Sequence, residues 1–196
     1  MPWQPDYVDD TELAAFVRAA ADDTYVAGYG TAASRAIDDA CNRQFGQLDV
    51  AAQFLYPERF AVWMPDLCRW LVFIDDVQDT TGAAVTVDGD ALAEGDDGWQ
   101  WWPLNAVAKG GAYTGLTLAD RPTGQLGLTV KFGWTAFPPA VVAATRLQVN
   151  RWHIRRESPY GIAGSPQEGS EMRLTARLDP DVRSMIKPLI RARMPR

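Results

Sequence analysis

The sequence predicts an α+β protein with helices towards both ends of the chain and a β-rich segment between them. Before Gly46, and again from Ala140 to Arg156, apolar residues recur at the i, i+3, i+4 spacing of a helix. From Gly46 to Trp134, short aromatic and β-branched runs alternate with turn signals, as in a small sandwich or barrel. We expect a helical bundle core of three to four helices, a β-rich subdomain inserted between the second and third helices, and an extended C-terminal arm ending in a short helix.

Residues 1–46 predict the N-terminal helices of that core. Asp9 is an N-cap candidate, and Glu12 follows it at the spacing of a capping box. The first helix then presents Leu13, Phe16 and Val17 as its apolar face. A second helix follows the Ala-Asp-Asp-Thr at 21–24 and keeps its apolar spacing as far as Phe45. Because Gly28 and Gly30 weaken its first turns, we expect its regular part to begin near Thr31.

Residues 47–134 predict about seven strands. The clearest is the run Leu126–Phe132, in which apolar side chains alternate with Gly127, Thr129 and Lys131. Asp88-Gly89 predicts a tight turn between strands. The predicted strand segments are AAQFLY, FAVWM, RWLVFI, AAVTVDG, WQWW, TGLTL and LGLTVKF.

Residues 135–160 predict the central helix of the core. Pro138-Pro139 suits a helix start, where the missing amide hydrogens are not needed. The helix from Ala140 to Arg156 has two apolar faces, one with Ala144 and Leu147 and the other with Val149 and Trp152. Two interpretations remain open: a helix buried within its own domain, or one that also packs on a neighbouring subunit.

Residues 161–196 predict a linker and a docking arm. A Gly, Ser and Pro-rich stretch reaches Glu171, and Asp179 with Pro180 predicts the start of a last helix. Pro188 limits or kinks that helix. The charge is uneven: residues 1–140 hold 8 Lys and Arg against 20 Asp and Glu, and residues 141–196 hold 11 against 5, for a total net charge of −6. An acidic body with a basic tail indicates different partners at its two ends.

Composition and motifs point away from catalysis. With 47% apolar and 22% charged residues the chain is typical of a globular protein. We expect no leader and no membrane span, because no basic and apolar leader pattern and no run of eighteen apolar residues occurs. Cys41 and Cys68 form no CxxC pair, so we expect free thiols in a reducing compartment.

We predict no catalytic residue, no cofactor and no metal. The single histidine, His153, has no evident Asp or Ser partner in the sequence, and no phosphate-loop or nucleophile motif occurs. Asp75-Asp76 and Asp96-Asp97 are interpreted as solvated acidic loops, and the acidic tract at 88–98 lacks calcium-loop spacing.

The WQWW run holds three of the eight tryptophans, Trp99, Trp101 and Trp102. Aromatic rings stacked on an exposed face bind sugars or bases. Such residues more often fill the core of a small β-domain or anchor an interface. Both interpretations are kept at this point.

Several segments, in order, resemble the head-to-tail adaptor proteins of long-tailed bacteriophages, in the form found in phages of actinobacteria. AASRAIDDACNRQF at 32–45 resembles the second helix of that family, and YVDDTELAAFV fits the first. The run from Val130 to Gly164, with its Gly-Trp strand end, Pro-started helix and RRESPYGIAG, is similar to the family's next segment. RLDPDVRSMIKPLIR is similar to its last helix. These segments cover roughly half the chain; the insert from Gly46 to about Gln125 is longer and richer in Trp than in plain helical members.

The resemblance implies a structural protein of the virion, assembled in the host cytoplasm and located at the capsid–tail junction. Adaptor subunits form a ring, expected to be twelvefold, beneath the portal protein, and a downstream neck, stopper or tail protein binds below. DNA passes through the ring without sequence-specific binding, and no membrane is involved. A tail completion or stopper protein of the same neck is the alternative, and a carbohydrate-binding β-module with helical flanks is a more distant one.

Two sets of residues follow as hypotheses. A helix with two apolar faces suits a ring in which each subunit buries it against the next, and a basic arm suits an acidic groove on the portal, where it would fold on docking. Ser158–Gly161 would be the hinge of that arm. The subunit interface is assigned to Val142, Val149, Trp152, Arg155 and Arg156. Portal docking is assigned to Arg183, Met185, Ile186, Lys187, Leu189, Ile190, Arg191 and Arg193.

Overall fold

A computed structural model of the chain describes residues 4–157, 162–163, 172–173 and 178–191. Within these residues the protein is a mixed α+β structure with four α-helices and two four-stranded antiparallel sheets, which confirms the expected class. The chain divides into two compact units. We name Gly46–Ala136 the β unit, and Gln4–Phe45 together with Phe137–Arg196 the helical unit.

The helical unit is built from segments on both sides of the β unit in sequence. Helix α3 packs on α2, α1 packs on both of them, and α4 packs on α3. A short two-stranded antiparallel ribbon, β9 with β10, follows α3 in sequence. The elements are α1 (Asp10–Val17), α2 (Thr24–Cys41), α3 (Pro139–Glu157), β9 (Ile162–Ala163), β10 (Met172–Arg173), α4 (Pro180–Ile186) and a 3₁₀ turn (Lys187–Leu189).

Local capping sets the starts of the first two helices. The Asp9 carboxylate accepts the amide hydrogen of Thr11 at 2.9 Å, which confirms Asp9 as an N-cap. Glu12 does not complete a capping box; its carboxylate forms an ion pair with Arg146 of α3. Asp23 caps α2 in the same way, through the amide of Tyr25 at 2.9 Å.

Helix α2 begins at Thr24, seven residues before the expected Thr31, and one of the two glycines that weaken it, Gly30, is used in tertiary packing. A methyl group on Gly30 would lie 2.7 Å from Cδ1 of Leu13, so this glycine lets α1 approach α2 closely. The predicted apolar face of α1 is partly wrong: Leu13 and Val17 are buried, but Phe16 is half exposed and Ala14 takes its place in the core.

The core of the helical unit joins three helices and the segment before α1. Its buried apolar side chains are Val8, Leu13, Ala14, Val17, Val26, Ala33 and Val149, with Ala19, Tyr29, Val142 and Trp152 packed against them while partly exposed. Since these positions span α1, α2 and α3, the core requires both halves of the helical sequence.

The β unit contains eight strands. One sheet has the order β1-β8-β4-β5 and the other β2-β3-β7-β6, all with antiparallel neighbours. The strands are β1 (Ala51–Leu55), β2 (Val62–Met64), β3 (Arg69–Val77), β4 (Asp79–Val87), β5 (Asp90–Leu92), β6 (Trp99–Trp102), β7 (Tyr113–Leu118) and β8 (Leu126–Lys131). Asp88 and Gly89, with φ of 52° and 93°, form the predicted turn, here between β4 and the unpredicted strand β5.

One hydrophobic cluster draws on both sheets of the β unit. Leu126, Leu128, Val130 and Phe132 are fully buried in it, as their alternation predicts. Apolar residues of β3, β4, β6 and β7 complete the cluster.

The expectation that Asp76 belongs to a solvated acidic loop is wrong. It is buried rather than part of a solvated loop, and its carboxylate accepts the indole hydrogen of Trp134 at 2.8 Å. Asp75, its neighbour, is exposed and accepts a hydrogen bond from Gln53 at 2.7 Å. Adjacent strand residues point to opposite faces, so only one carboxylate of the pair reaches solvent.

Candidate functional site

The predicted subunit interface on α3 faces mainly into its own unit. Val149 is fully buried in the helical core, and Val142 and Trp152 pack against the same core while partly exposed. The Trp152 ring lies 6.1 Å from that of Tyr29 on α2. The assignment of Val149 to a subunit interface is therefore wrong, because its side chain has no surface left to offer a second copy.

The C-terminal end of α3 does reach the surface. Ile154 is 40% exposed and Arg156 is exposed, while Arg155 is half-buried. The guanidinium of Arg156 lies 4.1 Å from the ring centroid of the exposed Tyr25 and 3.6 Å from the carboxylate of Asp23. Ile154 and Arg156 are two positions apart on α3, so they point about 200° apart around the helix and do not share a surface.

Within the described residues 178–191, the predicted docking arm packs in the helical unit. Ile186 and Val182 are fully buried. The Asp179 amide donates to Oε1 of Gln148 at 3.0 Å, and its carboxylate lies 3.2 Å from Nε of Arg151.

The chain beyond α4 is also held. The amide of Arg191 donates to the carbonyl of Cys41 at 2.8 Å, and the side-chain amide of Asn42 donates to the Arg191 carbonyl at 3.1 Å. The assignment of Ile186 to portal docking is therefore wrong, and α4 is not the end of a detached arm. The hinge Ser158–Gly161, most of the linker and Arg193 lie outside the described residues.

Four of the predicted docking residues remain available on what we name the α4 outer face. Arg183, Met185, Lys187 and Ile190 are all exposed. Leu189 and Arg191 are half-buried. Arg183 and Lys187 lie one turn apart and place two cations on the same side of α4, which suits a partner surface that carries carboxylates.

An open groove of about 480 Å³ lies at the other end of α3. Its floor contains apolar or aromatic side chains, and its rim contains carboxylates. We name it the acidic groove. Its apolar and aromatic side chains are those of Tyr7, Val8, Phe137 and Val142, and its carboxylates are those of Asp6, Asp9, Asp10 and Glu12. Sequence patterns do not predict this groove, because its lining combines residues more than a hundred positions apart.

The rim carboxylates differ in their partners. Hydrogen bonds from the hydroxyl and amide of Thr11 hold the pKa of Asp9 below its usual value. Asp6 accepts a hydrogen bond from the hydroxyl of Thr31 at 2.8 Å, and Glu12 is paired with Arg146. With one cation against four carboxylates, the rim carries negative charge.

A buried polar cluster supports the groove floor. The Tyr7 hydroxyl donates to the Asp38 carboxylate and accepts the amide hydrogen of Phe45 at 3.0 Å. Burial, and then the bond to Asp38, raises the pKa of Tyr7. Burial also raises the pKa of Asp38 to about 6, against the opposing effects of the Tyr7 hydrogen bond and the charge of Arg35.

The β unit has an exposed apolar surface along two edge strands. β1 and β2 each lie at the edge of their sheet. Phe54, on the outward face of β1, is 62% exposed, and Tyr56, directly after the strand, is 66% exposed. We name this surface the aromatic edge; it consists of Phe54, Tyr56, Phe60, Val62, Trp63 and Leu67.

Several contacts hold the aromatic edge in place. The Tyr56 hydroxyl accepts a hydrogen bond from the side-chain amide of Gln125 at 2.7 Å. The Trp63 ring lies 5.3 Å from that of Trp70, and the guanidinium of Arg121 lies 5.2 Å from the Trp70 centroid. The segment VAAQFLY, apolar on both faces of an edge strand, is the signal that could have predicted this surface.

The tryptophans of WQWW do not form a platform. Trp99 and Trp101 are buried in the β core, with their rings 5.1 Å apart in an edge-to-face arrangement. The Trp99 indole donates to the carbonyl of Leu92 at 3.0 Å. Of the two interpretations, the core role is the one the structure supports for these two residues.

His153 is half-buried on α3. Among the described residues, no group of three or more His, Cys, Asp or Glu side chains is arranged to hold a metal ion. None of the helices in the described ranges is long and apolar enough to cross a membrane. Neither a set of protein-family models nor a set of curated protein sequences contains a match to the chain.

Proposed function

We propose that the chain is a head-to-tail adaptor of a long-tailed bacteriophage, a structural subunit that forms a ring beneath the portal protein. The observation that carries the proposal is the distribution of the resembling segments. Those that form α1, α2, α3 and α4 all belong to the helical unit, and the dissimilar residues between them form a compact β unit of their own. This division supports a helical adaptor core with an inserted β subdomain.

The exposed surfaces supply the contacts that such a subunit needs. The α4 outer face, with Arg183, Met185, Lys187 and Ile190, is the proposed portal contact. The aromatic edge of the β unit is the proposed contact with the downstream neck or tail protein, since an apolar surface on edge strands is typical of protein interfaces. The acidic excess of residues 1–140 would repel the phosphates of passing DNA.

A second candidate is a tail completion or stopper protein of the same neck, which would share the ring but lack the Ser-Pro linker and the C-terminal helix. The chain has a C-terminal helix, α4, but this helix packs against α3 and is held there through Ile186 and Asp179, and this packing is the observation that favours the second candidate over an adaptor with a free docking arm. The WQWW run does not support the carbohydrate-binding alternative, because Trp99 and Trp101 are buried.

The test uses capsids that carry portal protein but lack this chain. Wild-type protein should bind them, and Arg183→Glu/Lys187→Glu should bind at least about tenfold more weakly, because like charges would then face an acidic portal surface. Arg18→Glu/Lys109→Glu makes the same charge change at two other exposed positions and is the matched control. Failure of the wild-type protein to bind portal-bearing capsids would overturn the adaptor proposal. Binding only to capsids already carrying an adaptor ring would assign the chain to the stopper position.

A further inference from the structure

We infer that strand β1 of one copy pairs antiparallel with β1 of a second copy, so that the free chain forms a twofold dimer through its β unit. The occupant of this part of the aromatic edge is then another molecule of the same protein. The inference goes beyond the proposed function and does not need it. Since β1 cannot pair with a second copy and with a neck protein at once, the dimer is a state of the free chain, and a neck partner would separate it.

The first reason is that β1 is an edge strand without the usual protection against pairing. Among the described strands its one neighbour is β8, and an edge strand offers the unpaired amide and carbonyl groups of its free side. Natural edge strands are blunted by shortness, by charged side chains or by proline. β1 has five residues, and the sequence from Val50 to Tyr56 contains neither a charged residue nor a proline.

The other three edge strands of the β unit do carry such protection. β2 and β5 have three residues each, and β5 begins with the exposed Asp90. β6 has four residues and leads directly into Pro103. β1 is therefore the longest of the four edge strands and the least protected, which directs pairing to it rather than to another edge.

The second reason is that β1 is complementary to itself in an antiparallel register centred on Gln53. In that register Ala52 of one copy lies opposite Phe54 of the other, so a small side chain leaves room for a ring. Val50 and Tyr56, directly outside the strand, lie opposite each other as a β-branched and an aromatic residue, a combination that stabilises sheets. Ala52, Phe54, Val50 and Tyr56 are all exposed in the single chain, so the pairing covers apolar surface that water otherwise contacts.

The residue at the centre of the register does not obstruct the pairing. The side chain of Gln53 points to the opposite face of the strand from those of Ala52 and Phe54. Its amide donates to the carboxylate of Asp75 at 2.7 Å. The polar side chain thus already has a partner within its own chain, and the outward face of β1 keeps its apolar character.

The third reason is that the exposed area matches a reversible contact. Val50 is 59%, Phe54 62% and Tyr56 66% exposed. Because one aromatic side chain presents about 150–250 Å², these three side chains leave roughly 300 Å² of apolar surface per copy in water. Pairing covers roughly 600 Å² of such surface together with the strand backbones, which is at the low end for specific interfaces. We therefore expect a dimer that dissociates at micromolar concentration, weak enough for a neck protein to displace.

Disulfide trapping of the full chain tests the register. The background is Cys68→Ser, because Cys68 is an exposed thiol whereas Cys41 is buried. Gln53→Cys places a thiol opposite its own counterpart, with Cα atoms about 4.5–5.5 Å apart, which is within disulfide range. Ala52→Cys, one position away, lies opposite Phe54 instead of itself and is the matched control. On non-reducing gels after mild oxidation, Gln53→Cys should form covalent dimer at least about tenfold faster than Ala52→Cys.

Sedimentation velocity tests the contact without a cross-link. From micromolar to millimolar concentration, the wild-type chain should show a monomer–dimer equilibrium. Phe54→Lys places a cation on the edge strand, as natural edges do against pairing, and should weaken the dimer at least about tenfold. Phe16→Lys makes the same change at a half-exposed phenylalanine of α1, and it should dimerise like the wild type. Circular dichroism checks that both variants are folded.

Three results would each overturn the β1 contact: a wild-type chain that stays monomeric over this range, equal trapping of Gln53→Cys and Ala52→Cys, or a folded Phe54→Lys that dimerises like the wild type. If Phe54→Lys does not fold, the trapping comparison decides alone. None of these results bears on the adaptor proposal, because capsid binding tests that proposal through the α4 outer face.

Discussion

The substitution Ile186→Ala distinguishes an α4 that packs in the helical unit from an α4 that belongs to a detached docking arm. The side chain is fully buried in the helical unit. The substitution removes three carbon atoms, worth about 2.4 kcal/mol at about 0.8 kcal/mol each, and leaves a cavity that adds to the loss. Alanine returns a few tenths of a kcal/mol in helix propensity. We expect a decrease of about 3 kcal/mol in the free energy of unfolding.

The matched control is Met185→Ala, at the adjacent position of the same helix. Met185 is 41% exposed, so its truncation should change the free energy of unfolding by less than about 0.5 kcal/mol. Urea unfolding followed by circular dichroism at the helical band measures both variants. If the two variants differ by less than about 1 kcal/mol, α4 does not pack as described, and the free-arm interpretation returns.

Three further substitutions test the backbone and the buried cluster of Tyr7 and Asp38. Gly133→Ala should destabilise the protein by more than about 3 kcal/mol, because Gly133 has a φ of 107° and a methyl group there would overlap the carbonyl of Gly46. The control is Gly28→Ala on open helix surface, which should instead stabilise the protein by about 0.5–1 kcal/mol. Similar melting temperatures for the two variants would contradict this reasoning. The pKa of Asp38 in the folded protein, about 6, exceeds the usual 3.8. Protonated Asp38 therefore stabilises the folded state fully below about pH 4, and this stabilisation is lost as the pH rises through 6. The full effect is worth at most about 3 kcal/mol, and less because the side chain is partly solvated; about half of it falls between pH 5 and 7.5. Unfolding at these two pH values should show that Asp38→Asn removes this part of the dependence, and equal pH dependence in both proteins would refute it.

Features that depend on neighbouring residues were predictable from the sequence. Asp9 and Asp179 cap helices that begin just after them, because an N-cap bond spans only two or three residues. The alternation from Leu126 to Phe132 specified a strand with one apolar face, and Asp88-Gly89 specified a tight turn, which joins β4 to β5. The α+β class followed from these local patterns.

Features that depend on distant residues were not predictable in the same way. Asp76 is buried because Trp134, 58 positions away, donates to it. Phe16 is exposed and Ala14 buried because α1 is rotated towards the contact at Gly30. The acidic groove needs Phe137 beside Tyr7, whose rings lie 5.1 Å apart. Periodicity identifies an apolar face but not the element that will cover it.

The same distinction applies to the proposed function. Residue patterns alone determined the order of elements, the uneven charge and the resemblance to phage adaptors, since all three are properties of the linear chain. Tertiary packing decided which side chains remain available to partners: it buried Val149 and Ile186 and exposed Met185 and Ile154. Burial results from contacts between segments that are far apart in sequence. The apolar pattern of a helix therefore does not show which of its apolar side chains will be covered and which will stay exposed.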